Sequence, residues 1–320
     1  MMCMNVFQII RRFAVLVFFA LFWCQSASAT FSIVACDQQT GQCGVAIATH
    51  NLAVGHGAPF AITKLGAGVS QFETNPCHAR AIIAALRAGA NADTALKAAL
   101  KSEKACPDGA DETFRQIGVV SFNGTASAYT GAKANSYAGQ RAEGFVSVQG
   151  NGLASDIVLD AMWECFHTTK GTLAERLLTA LEEGYHEGGQ SIGVMSAALI
   201  VATPEGWPVD INLRVDFAPS SAVRDLRTAY NANYARQLMF RGERAAREGD
   251  IALGRRLIDE ALIRAPMWDR IWLRAAQFSE AHNDKKAAQY RRCRFQSLNP
   301  VWANMLKDEI DFTSCSSAQE

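Results

Sequence analysis

The sequence predicts an α+β fold in which antiparallel sheets stack on each other with helical layers outside, followed by an all-α region. Three observations carry this. From Thr30 to about Asp216, short β-branched runs alternate with helical ones and join into hairpins. The helical runs between them come in pairs, whereas βαβ crossovers would give single helices. From about Ala222 onward every periodic run is helical. The chain has 320 residues, enough for one substantial core and a smaller module, and its 49% hydrophobic content is ordinary for a folded protein.

Taken in order, residues 1–29 read as a removable signal peptide. Arg11 and Arg12 supply the positive start, Phe13 to Trp23 an apolar run of eleven residues, and Ala27-Ser28-Ala29 the small residues before a cleavage point. That run is shorter than the roughly 20 residues a spanning helix needs. Cleavage after Ala29 makes Thr30 the first residue of a periplasmic or secreted protein with no membrane attachment. "FSIVAC" and "CGVAIAT" then read as strands joined by a Gly-containing turn. "PCHARAIIAALRAG" and "ADTALKAALKSE" carry apolar residues three and four apart with Gly89 between them, which predicts two antiparallel helices. "RQIGVVSF" and "TASAYTG" flank Asn123-Gly124, a strong hairpin signal. "GFVSVQGN" adds a strand, residues 154–168 and 173–186 a second helix pair, and "SAALIVAT" and "DINLRVD" two final strands.

The all-α region carries an internal repeat. Pro266 and Pro300 lie 34 residues apart, as do Gly249-Asp250 and Asn283-Asp284, Gly242 and Ala276, and Gly254 and Ala288. That period with small and proline landmarks is tetratricopeptide-like, although most of the usual aromatic positions are missing, Trp272 excepted. The rival reading is a generic helical hairpin extension. The expected division is a signal peptide over 1–29, a sandwich domain over 30–228 and a helical region over 229–320. Two repeats alone leave an open apolar face, which points to docking on the first domain, on a protein partner or on a further helix pair.

Beyond Arg11 and Arg12, 29 basic residues stand against 31 acidic ones, so charge gives no footprint for nucleic acid or an anionic membrane. Seven cysteines remain beyond the signal peptide: Cys36, Cys43, Cys77, Cys106, Cys165, Cys293 and Cys315. An oxidising compartment pairs some of them and leaves at least one over. Cys36 and Cys43 flank a turn and face each other either as a disulfide or as two buried thiols.

Thr30 is the residue with chemistry. Signal cleavage gives it a free α-amine, whose pKa near 7.7–8.0 leaves a useful neutral fraction to take the proton from its own hydroxyl. Nucleophile and base then sit in one residue. No G-x-S-x-G or H-E-x-x-H pattern offers another route, and "GAGVSQ" and "GHGAP" lack the strand–loop–helix context of a phosphate-binding loop. Asn151, after a strand and before a helix, either donates to a developing oxyanion, with the Gly150 and Asn151 backbone amides, or caps the helix that follows. His50, Asn51 and His56 cluster after the second strand, where a substrate would pass. Two histidines six apart make a poor metal site, so neither metal nor cofactor is expected.

"TFSIVACDQQTGQCGVAIATHNLAVG", Asn75-Pro76, "RQIGVV", "AYTG", "VQGN", "SAALIV" and "DINLRVD" resemble, in order, the bacterial family known as domain of unknown function 1028, assigned to the N-terminal nucleophile (Ntn) hydrolase superfamily. The resemblance covers about residues 30–228. It implies a four-layer αββα Ntn-hydrolase sandwich with Thr30 at the mouth of a cleft between the sheets, and amide-bond hydrolysis without naming a substrate. It further implies that Lys64, 34 positions after Thr30, lowers the pKa of the amine by its charge, and it singles out Asn75 and Ser196 as substrate-binding positions with His50 and Asn51. The glycine-glutamine that leads into "SAAL" in the family reads Gly193-Val194-Met195 here. Two functions from different classes follow: an exported Ntn hydrolase acting on a small amide, peptide or N-acyl substrate, or an inactive Ntn scaffold that binds through its helical region. A homo-oligomer is compatible with either.

Overall fold

The structure, a computed structural model, describes residues 29–204 and 210–315. The expected signal peptide lies outside the described residues except for Ala29. Strands β1 (Thr30–Asp37) and β2 (Gln42–Thr49) form a hairpin in unbroken register from Thr30↔Thr49 to Cys36↔Cys43. Asp37 closes its turn, accepting from the Gln39 amide through its carboxylate and from the Gly41 amide through its carbonyl. Gly41 takes φ +74 there, a conformation that costs a glycine little. Cys36 and Cys43 form a disulfide across the hairpin.

Strands β3 (Pro59–Ile62) and β4 (Gly66–Phe72) follow, then helices α1 (Pro76–Arg87) and α2 (Ala92–Lys101). Asn75 and Asn91 cap these helices through their side-chain oxygens, and Pro76 stands at the first helical position. Strands β5 (Arg115–Ser121), β6 (Thr125–Thr130), β7 (Gly139–Glu143) and β8 (Val146–Asn151) come next. Helices α3 (Ile157–Thr168) and α4 (Leu173–His186) and strands β9 (Ser196–Ala202) and β10 (Ile211–Val215) complete this part. All pairings are antiparallel, in a six-stranded sheet ordered β10-β9-β2-β1-β8-β7 and a four-stranded sheet ordered β3-β4-β5-β6.

Alternation along the strands builds the layers. Val34, Val45 and Ile47 of the larger sheet meet Ala67, Val69 and Val120 of the smaller in one buried cluster, so the sheets pack face to face. On the other face of the smaller sheet, Ile117 and Val119 pack against Ile82, Leu86, Ala95 and Leu96 of α1 and α2. On the outer face of the larger sheet, a Cβ on Gly184 of α4 would strike Met162 of α3 and touch Phe31 of β1, and one on Gly44 of β2 would strike Leu177 of α4. The fold is α+β, as expected. Strands β3, β4 and β7 go beyond the sequence reading.

The chain divides into two compact units between Val223 and Arg224. The second unit holds most of helix α5 (Ala222–Arg247), then α6 (Ile251–Arg264), α7 (Asp269–Ala281), α8 (Lys285–Leu298) and α9 (Pro300–Met305). Asp250 caps α6 and Asp284 caps α8, each through its carboxylate. Gly242 and Gly254 let α5 and α6 meet closely, since a Cβ on either would stand within 2.9 Å of the other's carbonyl oxygen. This unit has its own core around Met239, Ile258, Leu273, Phe278 and Phe295, and a Cys293–Cys315 disulfide. Among the described residues, no helix is long and apolar enough to cross a membrane.

Candidate active site

The inward face of β1 reads Thr30, Ser32, Val34, Cys36. Its apolar half joins the core between the sheets, and its polar half faces polar partners on three other strands. Register places Thr49 of β2 and Asn151 of β8 directly beside Thr30, and Ser196 of β9 beside Thr49. Four neighbouring strands thus carry one row of polar residues at the same end of the sheet, each of them buried. Opposite stand Gln71 of β4 and Gln116 of β5, also buried.

Hydrogen bonds saturate most of this layer. Ser32 Oγ donates to Gln71 Oε1 at 2.7 Å, and Gln71 Nε2 donates to Gln116 Oε1 at 2.7 Å. Gln149 Nε2 donates to Ser32 Oγ at 2.7 Å while its oxygen accepts from Ser147 Oγ at 2.6 Å. Gly118 on β5 leaves the room that the Gln149 amide fills. Gln116 Nε2 donates to Thr130 Oγ1 and the Gly150 carbonyl, both at 2.8 Å. Its oxygen is therefore fixed as an acceptor, and Asn151 must turn its Nδ2 toward it, at 2.8 Å. Asn151 Oδ1 is left buried without a partner. A saturated network with one open acceptor beside Thr30 is an unusual arrangement, because an orphaned buried acceptor costs about 1–3 kcal/mol.

The Thr30 hydroxyl lies 3.0 Å from the Thr49 hydroxyl, which donates to the Ala29 carbonyl at 2.6 Å. Thr49 has one proton to give, so at the Thr30–Thr49 contact Thr30 is the donor. With the Ala29–Thr30 peptide bond intact, Thr30 has no α-amine and its proton is committed to Thr49. In the strand register Asn151, with its open oxygen, stands opposite Thr30.

The other residues singled out from the sequence fall in several places. Lys64 is not brought to Thr30. It sits in the β3–β4 turn, exposed, with its backbone amide on the Gly41 carbonyl. That is the opposite end of the eight-residue β1, roughly 20 Å away at about 3.3 Å per residue. Asn151 ends β8 and does not cap α3, which Asp156 precedes. Asn75 is committed to the start of α1, accepting from the Cys77 amide and donating to Glu103 and the Cys106 carbonyl. Ser196 ties down the loop after β2, donating to the Asn51 carbonyl at 2.6 Å and accepting from the Val54 amide. His50 and Asn51 begin that loop beside Thr49. His50 Nδ1 is buried without a partner, Asn51 is exposed, and His56 is exposed further along. Among the described residues no group of three or more His, Cys, Asp or Glu is placed to hold a metal ion.

Thr49, Gln71, Gln116 and Gln149 escaped the sequence reading. The available signal was the alternation of polar residues in "TFS" and "VQGN", which puts Thr30, Ser32, Gln149 and Asn151 on one face. The Gln71 and Gln116 neighbours Ser70 and Arg115 point the other way, where buried Arg115 and His78 meet partly buried Glu103 and exposed Asp108. Arg115 binds Glu103 through Nε and Nη2 at 2.6 and 2.8 Å and Asp108 at 2.7 Å. Burial raises the Glu103 carboxyl, but the Arg115 hydrogen bonds and charge outweigh it and hold the group below its usual range. Burial depresses His78 more than Glu103, 2.8 Å away, lifts it, so the imidazole is neutral. It donates from Nε2 to Glu103 and accepts at Nδ1 from Ser70 Oγ. The Cys77–Cys106 disulfide closes the loop around this cluster, and Cys165 alone among the described cysteines stays free.

A family model described as "Family of unknown function (DUF1028)" matches residues 30–226. The chain is also similar to a crystal structure of protein SPO2555 from Silicibacter pomeroyi, itself described as DUF1028. The two are 29% identical, with 63% of this chain and 85% of that chain covered and a TM-score of 0.57. No curated protein matches the sequence.

Proposed function

The chain belongs to the DUF1028 family, whose description assigns no activity, and from its site we propose that it is an exported Ntn-type hydrolase that cleaves an amide bond with Thr30. The observation that carries this reading is the place of Thr30, in hydrogen-bond contact with the Thr49 hydroxyl and in register with the open acceptor of Asn151. The two stacked sheets, with a helix pair on each outer face, are read as the four-layer αββα sandwich of that superfamily. The signal peptide is read as the device that uncovers Thr30, in the periplasm or outside the cell.

The chemistry needs only groups at this place and water. In the processed protein the α-amine takes the Thr30 hydroxyl proton, directly or through one water, as Oγ1 bonds to the amide carbon. The carbon–nitrogen bond breaks and the leaving amine takes that proton, which leaves an ester on Thr30. Water then adds to the ester, gives its proton to the α-amine and releases the acid, restoring the hydroxyl. Asn151 Oδ1 orients the amine by accepting one of its N–H groups. Lys64 stands at the far end of β1, so the charge effect on the amine that the resemblance implied for a lysine is not part of this proposal.

The helical region, with aspartate caps 34 residues apart, is read as tetratricopeptide-like and as a surface for a protein partner. Residues 224–320 carry 17 basic and 13 acidic residues, and residues 30–223 carry 12 and 18, so an acidic partner suits the helical unit better than the sandwich. The alternative, an inactive binding module on the same scaffold, draws on the 4% exposure of Thr30 in the unprocessed chain. N-terminal sequencing of exported protein, with turnover of an amide panel by wild type and Thr30→Ala, tests the proposal. The expected result is Thr30 as first residue and turnover lost in the variant. An uncleaved chain, or no turnover by either protein, would leave the binding module in its place, and equal turnover by both would refute Thr30 as the nucleophile.

A further inference from the structure

The residue just before Thr30 is buried and lies against the main chain of Gly152. Ala29 is 2% exposed, and its carbonyl oxygen holds the Thr49 hydroxyl proton at 2.6 Å. Because Thr30 opposes Asn151, the next residue along, Gly152, lies against Ala29. A Cβ on Gly152 would stand 2.6 Å from the Ala29 Cβ. Gly152 has φ +58, its amide donates to the Asn135 carbonyl at 2.8 Å, and its carbonyl accepts from the Ser191 amide and hydroxyl at 3.0 and 3.2 Å. That wall is main chain tied on both sides, so it gives way far less readily than a side chain would.

The carbonyl carbon of Ala29 is bonded to the nitrogen of Thr30, within the few ångströms that Oγ1 can reach. An acyl group attacked by Oγ1 must bring its own carbonyl carbon to that same space. We propose that the acyl part of the substrate takes the place of Ala29 once the leader is removed, with its carbonyl oxygen on the Thr49 hydroxyl and its side chain limited to a hydrogen or a methyl group by Gly152. The substrate class is then an amide of a very small acyl group, acetyl, glycyl or alanyl. Thr49 becomes a catalytic residue, since the hydroxyl that holds the Ala29 oxygen at 2.6 Å would stabilise the charge that develops on the substrate oxygen. This rests on the reading of Thr30 as nucleophile.

Protein beginning at Thr30 would be assayed on aminocoumarin amides of acetyl, glycyl, alanyl, leucyl and phenylalanyl groups, with β-propiolactone acylation of Thr30 measured in parallel by mass spectrometry. The expected kcat/KM for leucyl and phenylalanyl amides lies at least 100-fold below that for the alanyl amide. Thr49→Val is expected to lower kcat on the alanyl amide by about 10²–10³, the loss typical for one oxyanion donor, with KM within threefold, and Thr49→Ser to restore most of it. Gly152→Ala should lower the alanyl rate at least tenfold and leave the acetyl rate within threefold, its fold checked by circular dichroism and by retained acylation of Thr30. Leucyl or phenylalanyl amides cleaved as fast as alanyl, or no small amide cleaved, in protein whose Thr30 is acylated would overturn the pocket while leaving the nucleophile standing. Absence of acylation would overturn both.

Discussion

Asn151→Leu is expected to act in opposite directions before and after processing. In a chain that begins at Ala29, it removes the hydrogen bond from Nδ2 to Gln116 Oε1, worth about 1 kcal/mol net. Gln116 Oε1 is not left bare, because Gln71 Nε2 still donates to it at 2.7 Å. The same change deletes the buried Oδ1 that has no partner, which relieves about 1–3 kcal/mol of desolvation cost. The balance runs from neutral to about 2 kcal/mol more stable. In protein that begins at Thr30, the proposed hydrogen bond from the amine to Oδ1 would involve a charged group and contribute about 1.5–3 kcal/mol. There the same substitution should destabilise by about 2–4 kcal/mol. Urea midpoints of the four proteins form a double-mutant cycle between processing and residue 151. Gln116→Leu is the control, since it strands the Gln71 and Asn151 amide groups in either form and should cost about 2–6 kcal/mol in both. An equal effect of Asn151→Leu in the two forms would mean that the amine never reaches Oδ1, and the orienting role would fall.

Acid should destabilise the protein in two stages. Burial holds His78 below its ordinary 6.5 in the fold, so the unfolded chain binds that proton more readily and stability declines as pH falls below 6.5. Glu103 and Asp108 are held below their ordinary 4.5 and 3.8, Glu103 because Arg115 and His78 outweigh burial and Asp108 mainly through its Arg115 hydrogen bond. Their contribution is present above those values and is lost below them. His78→Gln should remove the first stage of the urea midpoint's decline and keep the second; an unchanged first stage would refute the assignment. Exported protein, unfolded without reductant, should titrate one thiol, Cys165, and with reductant seven, because three disulfides join the rest. A count of seven before reduction would contradict the pairing. Truncation near Ala232 should leave the sandwich folded by circular dichroism, since both of its faces are covered within residues 29–223, and aggregation would refute that independence.

Where local chemistry decides the structure, the sequence is a sufficient guide. Asn123-Gly124 makes its turn, Asn75-Pro76 and Thr172 start their helices, and Gly41 permits the first hairpin. Strand β4 was hidden because its sequence, "GAGVSQF", is poor in β-formers. Its glycines are there for packing: a Cβ on Gly68 would strike Phe60, and one on Gly66 would strike the Val120 carbonyl. Strand β7 was hidden because its "GQRAE" carries no apolar face. Thr30 could be singled out because cleavage at the small residues before it would change its chemistry. Thr49, Gln71 and Gln116 could not, because each is a lone polar residue until strand register sets it beside Thr30. Lys64 illustrates the converse. Spacing along the chain says nothing of which end of a hairpin a residue will reach, and the β3–β4 turn meets Gly41, at the far end from Thr30.

The most direct test of the central claim compares acylation of Thr30 with and without its neighbour. Protein that begins at Thr30, protein that begins at Ala29 and the Thr30→Ala and Thr30→Ser variants would be treated with a β-lactone, and the adduct located by mass spectrometry. The account predicts a single adduct on Thr30 when it is first in the chain, partial labelling of Thr30→Ser, and none when Ala29 remains, because a peptide nitrogen has no basic lone pair to take the hydroxyl proton. Equal labelling with Ala29 in place, or of Thr30→Ala, would contradict it.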